Sequence, residues 1–403
     1  MNNDSQKNVM VDIIFYVDWE PGHIIPTFKL ADSLIKSGYS VCYIGLSRSR
    51  EIVEKTGFTY YEMYENLDID FNSKNQEYYS RLLNDKTNDR IHQLNPKLII
   101  TNHFLILDTL IFYYKYKNIK QIVLYTHLLW LKDPITLKEL CFRSLCELTA
   151  GPLSAMIDFL SRNEISYQGL DDIIAPIENI PEFLLCAKEF EINEVVEKDK
   201  KRRYLGPGIL EEKASSSFFE DHNIPENKKL IYASMGSQAK SSPEKAKHFF
   251  NQMIACMQSP SLGSFYLIMT VGSNREKWEL NNPSNNVSIH SWVPQKIILK
   301  KSVIAIIHGG LNTIKEAIFY GTPMIVFPMG RDQGDNAHRV VYHEIGVEDV
   351  IDTMNIESLS KNIIKVVGSA TIQNSIKKMS TLFKEQNQRN DGVKFIREHL
   401  NTT

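Results

Sequence analysis

The chain has 403 residues, too many for one ordinary hydrophobic core, so two domains are expected. With 43% hydrophobic and 23% charged residues it has the composition of an ordinary soluble globular protein. A net charge of −2 supplies no global field to attract nucleic acid or an anionic membrane. The first residues are polar and lack a basic segment followed by a signal-peptide core, so no leader is expected. Residues 11–17, VDIIFYV, then read as a β-strand. A loop, DWEPGHIIP, leads into TFKLADSLIKSG, where Phe28, Leu30, Ala31, Leu34 and Ile35 share one helical face and Gly38 lies past the end. YSVCYIG is a second strand, and this strand–helix–strand order opens a parallel sheet. KLIIT, FLILDTLIFYYKYK and QIVLYT repeat the theme. The middle of these is apolar but carries Asp108, and Asn102 and His103 precede it, so no transmembrane helix is expected. Residues 130–195 read as mostly helical, with no clear strand run.

YLGPGIL (204–210) and the irregular stretch after it break the pattern and read as a linker. A second series follows: LIYASMGS, KAKHFFNQMIACMQ, FYLIMTVG, VSIHSWVP, QKIILKK, VIAIIHGG, NTIKEAIFYG and PMIVFP. Strands and helices alternate, and each strand ends in small or polar residues. The expected fold is α/β, with two Rossmann-like doubly wound domains facing across a cleft. The expected limits are 1–205 for the first domain, 206–225 for the linker and 226–385 for the second domain. A final helix, 386–403, is expected to return to the first. In such folds ligands bind beyond the carboxyl ends of strands. Five cysteines (Cys42, Cys141, Cys146, Cys186, Cys256) have no zinc spacing and read as reduced structural thiols, which fits the cytoplasm.

The motifs sit at those strand ends. His308, Gly309 and Gly310 close a strand, and Asn312 and Thr313 open a helix. Backbone amides at a helix N-terminus attract phosphate, and glycine permits close approach. Ser237 in SMGS offers a hydroxyl at a second such turn, so the pair suits a diphosphate. A tight turn with His308 as a cap is the plainer alternative. Trp292 in SWVPQ is either a stacking platform for a base or a core residue. Glu316, one turn into the helix, can accept from two ribose hydroxyls. Asp332 and Gln333 suit the vicinal hydroxyls of a sugar, or form a solvated turn. His23 lies after the first strand, where an imidazole can serve as a general base. Two patterns are set aside: Asp68–Asp70 lies in a polar stretch without a flanking strand, and Gly206–Gly208 lacks the context of a dinucleotide fingerprint.

As a set, SWVPQKIIL…IIHGGLNTIKEAIFYGTPMIVFPMGRDQGDNAHRV…EIGV resembles the donor-binding signature of the UDP-glycosyltransferases, family 1 of the glycosyltransferases. GHIIPTFKLADSLIKSGYSVCYIG, YLGPGI and YASMGS resemble the family's first unit, its linker and the first strand of its second domain. The resemblance implies the GT-B fold and inverting, metal-independent transfer of a hexose, expected to be glucose, from a UDP-sugar to a hydroxyl of an apolar small molecule. By position it implies that Trp292 stacks on uracil, Gln295 assists at the nucleoside and Glu316 binds the ribose. Ser237, His308, Gly310, Asn312 and Thr313 hold the diphosphate, Asp332 and Gln333 hold the sugar, and His23 takes the acceptor proton. The family's carboxylate partner of that histidine falls at Asn102 here, so Asp108, or else Asp18, is expected to stand in. The related transferase that builds lipid-linked cell-wall precursors shares GHIIP but not WxPQ or DQxxNA. A catalytically silent relative that binds or activates a partner is the competing class, and it would be expected to lack the base or the donor residues.

Overall fold

The computed structural model describes residues 10–18, 20–64, 76–84, 89–128, 130–131, 135–147, 151–199, 201–211, 217–273, 278–280 and 284–402. The chain divides into two compact units. One comprises Met1–Leu185, Asp199–Gly208 and Asn390–Thr403, the other Cys186–Lys198 and Ile209–Arg389. Asp68 and Asp70 lie outside the described residues.

The first unit holds a seven-stranded sheet. Its strands are β1 (Ile13–Tyr16), β2 (Val41–Gly45), β3 (Tyr60–Glu62), β4 (Leu98–Asn102), β5 (Lys120–Tyr125), β6 (Glu182–Leu184) and β7 (Arg203–Tyr204). The order is β3-β2-β1-β4-β5-β6-β7, and every pair is parallel. Parallel strands covered on both faces read as continuous apolar runs, and every residue of β1 and β4 is buried. β6 corrects the expectation of a strand-free 130–195. It is three residues long and opens on a charged one, and only two residues of the apolar run 183–187 pair in the sheet, too few to read as a strand. Buried Glu182 is compensated by Lys201 at 2.7 Å, Arg202 at 2.8 Å and the Tyr125 hydroxyl at 2.8 Å. The closing helix, Asp391–Asn401, belongs to this unit. The Lys120 ammonium donates to the carbonyls of His399 (2.8 Å) and Leu400 (3.3 Å), and Gly392 lies against Leu30.

The second unit holds six strands: β8 (Lys229–Ser234), β9 (Phe265–Thr270), β10 (Val287–His290), β11 (Ser302–Ile307), β12 (Met324–Val326) and β13 (Gly346–Glu348). The order is β10-β9-β8-β11-β12-β13, again all parallel. Alternate residues of its strands (Ile231 and Ala233, Leu267 and Met269, Ile304 and Ile306) meet Phe249, Phe250 and Met253 of the helix Pro243–Cys256 in one core. Counted within its own unit, each sheet begins 3-2-1-4-5-6. The strand order therefore reverses between β1 and β4, and again between β8 and β11. A reversal leaves a crevice beyond the carboxyl ends of the two strands, where ligands bind in this class of sheet.

The chain passes between units near residue 185, near 198, at 208 and at 389. The third crossing falls inside the stretch read as a linker. The segment Cys186–Lys198 joins the second unit although it precedes that stretch. Glu191 within it pairs with Arg339 of the helix Gln333–Tyr342, and the Phe190 carbonyl accepts from His343 Nε2 at 3.0 Å. Among the described residues no helix is long and apolar enough to cross a membrane.

Candidate functional site

In the first unit the chain leaves β1 through Val17 and Asp18 and turns at Pro21–Ile24, which places His23 beyond the strand end. Asp18 is buried. Its Oδ1 accepts from the Glu20 N–H at 2.9 Å, and its Oδ2 lies 2.7 Å from His23 Nδ1. A carboxylate accepts only, so the neutral imidazole carries its proton on Nδ1 and keeps the Nε2 lone pair for other work. Phe104 stacks on the imidazole with centroids 4.4 Å apart and planes 23° apart. Asn102 fixes the turn that presents Phe104: its Oδ1 accepts from the Phe104 N–H at 2.9 Å, and its Nδ2 donates to Thr126 Oγ1 at 3.2 Å. Asp18, His23, Thr27 and Asn102 line a pocket at the β1–β4 reversal.

The expectation for Asp108 is corrected. It is buried in the helix Ile106–Lys115, where its Oδ1 accepts from the hydroxyls of Tyr16 (3.2 Å) and Tyr78. The carboxylate that holds His23 is Asp18. His103, next to Asn102, is buried against Tyr125 and His127. Burial first, then the neighbouring imidazole of His127, holds its pKa well below the usual histidine range.

In the second unit β8 and β11 end side by side. His308 follows β11, and two glycines make its slot. A Cβ at Gly236 would lie 2.6 Å from the imidazole Cε1, and one at Gly310 would lie 2.6 Å from Nε2. Gly236 also has φ +55°, a left-handed conformation that favours glycine. Ser237 follows in the turn Gly236–Lys240, and its side chain is outside the described set. Gly310 is the N-cap of the helix Leu311–Tyr320 and brings no capping side chain. The first turn, with Asn312 and Thr313, therefore presents backbone amides and the positive end of the helix dipole.

Burial lowers the His308 pKa from 6.5 to about 4, opposed in part by the Ser234 backbone. The imidazole is thus a neutral hydrogen-bonding group at pH 7. Between pH 6.5 and 4 the unfolded chain holds more protons than the folded one. Stability from this group is therefore complete above 6.5 and is lost as pH falls toward 4, by about 3 kcal/mol in all. Urea unfolding of the wild type and His308→Gln across that window checks it. The variant should show a shallower loss, and parallel curves would refute the assignment.

Gln295 opens the helix Gln295–Lys301. Its Oε1 accepts from the Tyr232 hydroxyl at 2.7 Å, and its Nε2 donates to Glu316 Oε2 at 2.6 Å and Thr313 Oγ1 at 3.4 Å. Three residues singled out in the sequence, Gln295, Thr313 and Glu316, thus form one cluster. Trp292, just before it, is 76% exposed, which removes the core reading of that indole. Asp332 stands at the N-cap position of the helix Gln333–Tyr342, and its Oδ2 accepts from Asn336 Nδ2 at 2.9 Å. Asn336 Nδ2 also donates to the Gly309 carbonyl at 3.0 Å, which ties Asp332 to the His308 turn. Gln333 is buried, with its Oε1 accepting from the Met329 N–H at 2.8 Å, so its NH2 group is what it has for donation. Sequence reasoning assigned no role to Tyr232, to Asn336 (the Asn of DQxxNA) or to Arg339. Only Asn336 carried a signal, lying four residues after Asp332 on the same helical face. Among the described residues no cluster of three His, Cys, Asp or Glu side chains is placed to hold a metal ion.

Residues 211–391 match the family model described as UDP-glucoronosyl and UDP-glucosyl transferase. The chain is 31% identical over 162 residues to the uncharacterized UDP-glucosyltransferase YojK of Bacillus subtilis, covering 40% of this chain but 36% of that protein. It therefore spans well under half of the length of this relative. To the NDP-glycosyltransferase YjiC of Bacillus licheniformis it is 24% identical, over 90% of this chain and 91% of the relative. The crystal structure of the glycosyltransferase of kitacinnamycin superposes with a TM-score of 0.73 at 18% identity, covering 96% of this chain and 98% of that one. With two Rossmann-like sheets of the same strand order, the chain has the GT-B fold, and its residues 211–391 match the UDP-glycosyltransferase family.

Proposed function

We propose that the protein transfers a hexose, glucose, from a UDP-sugar to a hydroxyl of an apolar small molecule, with inversion and without a metal. The observation that carries the proposal is the His23–Asp18 pair at the strand reversal of the first sheet. The acceptor oxygen attacks the anomeric carbon and gives its proton to His23 Nε2, while Asp18 stabilises the imidazolium that forms. The bond from the anomeric carbon to the leaving oxygen breaks, and its electrons pass to the diphosphate. His308 and the amides at the start of Leu311–Tyr320 meet that growing charge as fixed donors. Trp292 stacks on the base, Glu316 takes the ribose, and Asp332 with Gln333 takes the sugar hydroxyls. The presence of the base and of the donor residues argues against a silent relative.

The test is acceptor-dependent release of UDP from UDP-glucose, with EDTA present, over a panel of hydroxylated aromatic and macrocyclic acceptors, with products weighed by mass spectrometry. His308→Ala should lower kcat by roughly 10²-fold, as for loss of one oxyanion donor. Binding of the donor with no release on any acceptor would favour the silent reading. Activity that needs an added divalent ion would sink the metal-free part.

A further inference from the structure

Tyr232 lies on β8, and its ring is buried in the second unit. Its hydroxyl reaches a polar group on another element, Gln295 Oε1, at 2.7 Å. Gln295 in turn donates to Glu316 Oε2 at 2.6 Å. The three side chains form a line across a strand and the starts of two helices. Its direction is fixed by chemistry. A carboxylate can only accept, so the amide must turn its NH2 group to Glu316 and its oxygen to Tyr232. The amide oxygen then needs a donor, and the tyrosine hydroxyl is that donor. Burial pushes the hydroxyl pKa up to about 12, so it keeps its proton.

We propose that Tyr232 is a positioning residue that sets the ribose selectivity of the donor site by holding the Gln295 amide, and through it the Glu316 carboxylate. This rests on the reading of Glu316 as the ribose ligand. With the amide clamped at both ends, the Glu316 carboxylate keeps one plane and one rotamer, and its acceptor positions are aimed before the ligand arrives. Without the hydroxyl, the half-buried Gln295 oxygen loses its donor, and the amide is free to turn toward another one or toward water. Glu316 then loses the bond that orients it. The Gln295 amide also donates to Thr313 Oγ1, but at 3.4 Å against 2.6 Å to Glu316, so ligands that use the ribose hydroxyls should lose most.

The experiment is calorimetric binding of UDP and of 2′,3′-dideoxy-UDP, which lacks both ribose hydroxyls, to the full chain, wild type and Tyr232→Phe. The wild type should prefer UDP. Tyr232→Phe should weaken UDP by roughly tenfold, the worth of one hydrogen bond to a charged group, and leave 2′,3′-dideoxy-UDP within about twofold. In turnover, KM for the UDP-sugar should rise with kcat unchanged. In a Gln295→Ala background the hydroxyl has nothing to hold, so adding Tyr232→Phe should leave the ratio of the two affinities where it was. Equal weakening of both nucleotides, or additive losses in the double variant, overturns the relay while the donor reading stands. A wild type that binds neither nucleotide overturns the donor reading and the relay with it.

Discussion

Replacing His23 with alanine is expected to remove transfer to an aliphatic alcohol, with kcat falling by roughly 10²- to 10⁴-fold and the affinity for the UDP-sugar unchanged. The split follows from position. His23 stands beyond β1 in the first unit, whereas every proposed donor contact lies in the second. An aliphatic hydroxyl does not ionise near neutral pH, so its attack needs a base at the moment of bond formation. Asp18→Asn should also lower kcat. The amide can turn its NH2 group toward Nδ1, which forces the imidazole proton onto Nε2 and leaves no lone pair there. Asn102→Asp should change little by comparison, because residue 102 is committed to the Phe104 N–H and Thr126. Steady-state kinetics of the three variants, with donor binding measured separately, check these expectations. Full activity of His23→Ala on an aliphatic alcohol would remove His23 from the mechanism.

Loss of either partner in the Arg339–Glu191 pair should cost about 3–5 kcal/mol of stability, the largest effect expected from any single ion pair in the second unit. The guanidinium meets the carboxylate twice, Nε to Oε1 at 2.6 Å and Nη2 to Oε2 at 3.0 Å, and both side chains have no exposed surface. Such a pair need not stabilise more than apolar residues of the same shape would. Breaking it, however, strands one charge out of water. The site should feel it too, since Arg339 lies on the helix that starts at Asp332 and carries Asn336. A fragment that starts at residue 226 lacks Glu191 and should be destabilised for the same reason. Urea denaturation of Glu191→Ala and Arg339→Ala measures the cost, and a loss below about 1 kcal/mol in both would show that the pair is hydrated in solution.

Much of this could be read from residue order. The apolar runs of β1, β4, β8 and β11 and the glycines after two of them locate both reversals, because buried parallel strands leave a one-dimensional trace. The donor motif is contiguous enough to bring Gln295, His308, Glu316 and Asp332 forward as candidates. What stayed hidden depends on partners distant in sequence. β6 buries Glu182, whose partners Lys201 and Arg202 lie about 20 residues on, across the sheet. Tyr232 looks like any aromatic strand residue until Gln295, 63 positions on, meets its hydroxyl. Glu191 finds Arg339 after 148 positions, and nothing local assigns it to the second unit. The choice between Asp18 and Asp108 turned on the shape of one short loop, which spacing does not encode.

The return of residues Asn390–Thr403 to the first unit also sets an order of events during synthesis. A ribosome delivers the seven strands of the first sheet by residue 204, yet the helix that receives Lys120 and packs against Leu30 emerges only after the whole of the second unit. At about 5–20 residues per second that is a delay of roughly 10–40 seconds, long compared with hydrophobic collapse. During it the first unit waits with its Leu30 face uncovered. A nascent chain stalled after residue 389 should therefore be cut by protease within the first unit far faster than the released protein, and chaperones that hold apolar surface should engage it at that stage.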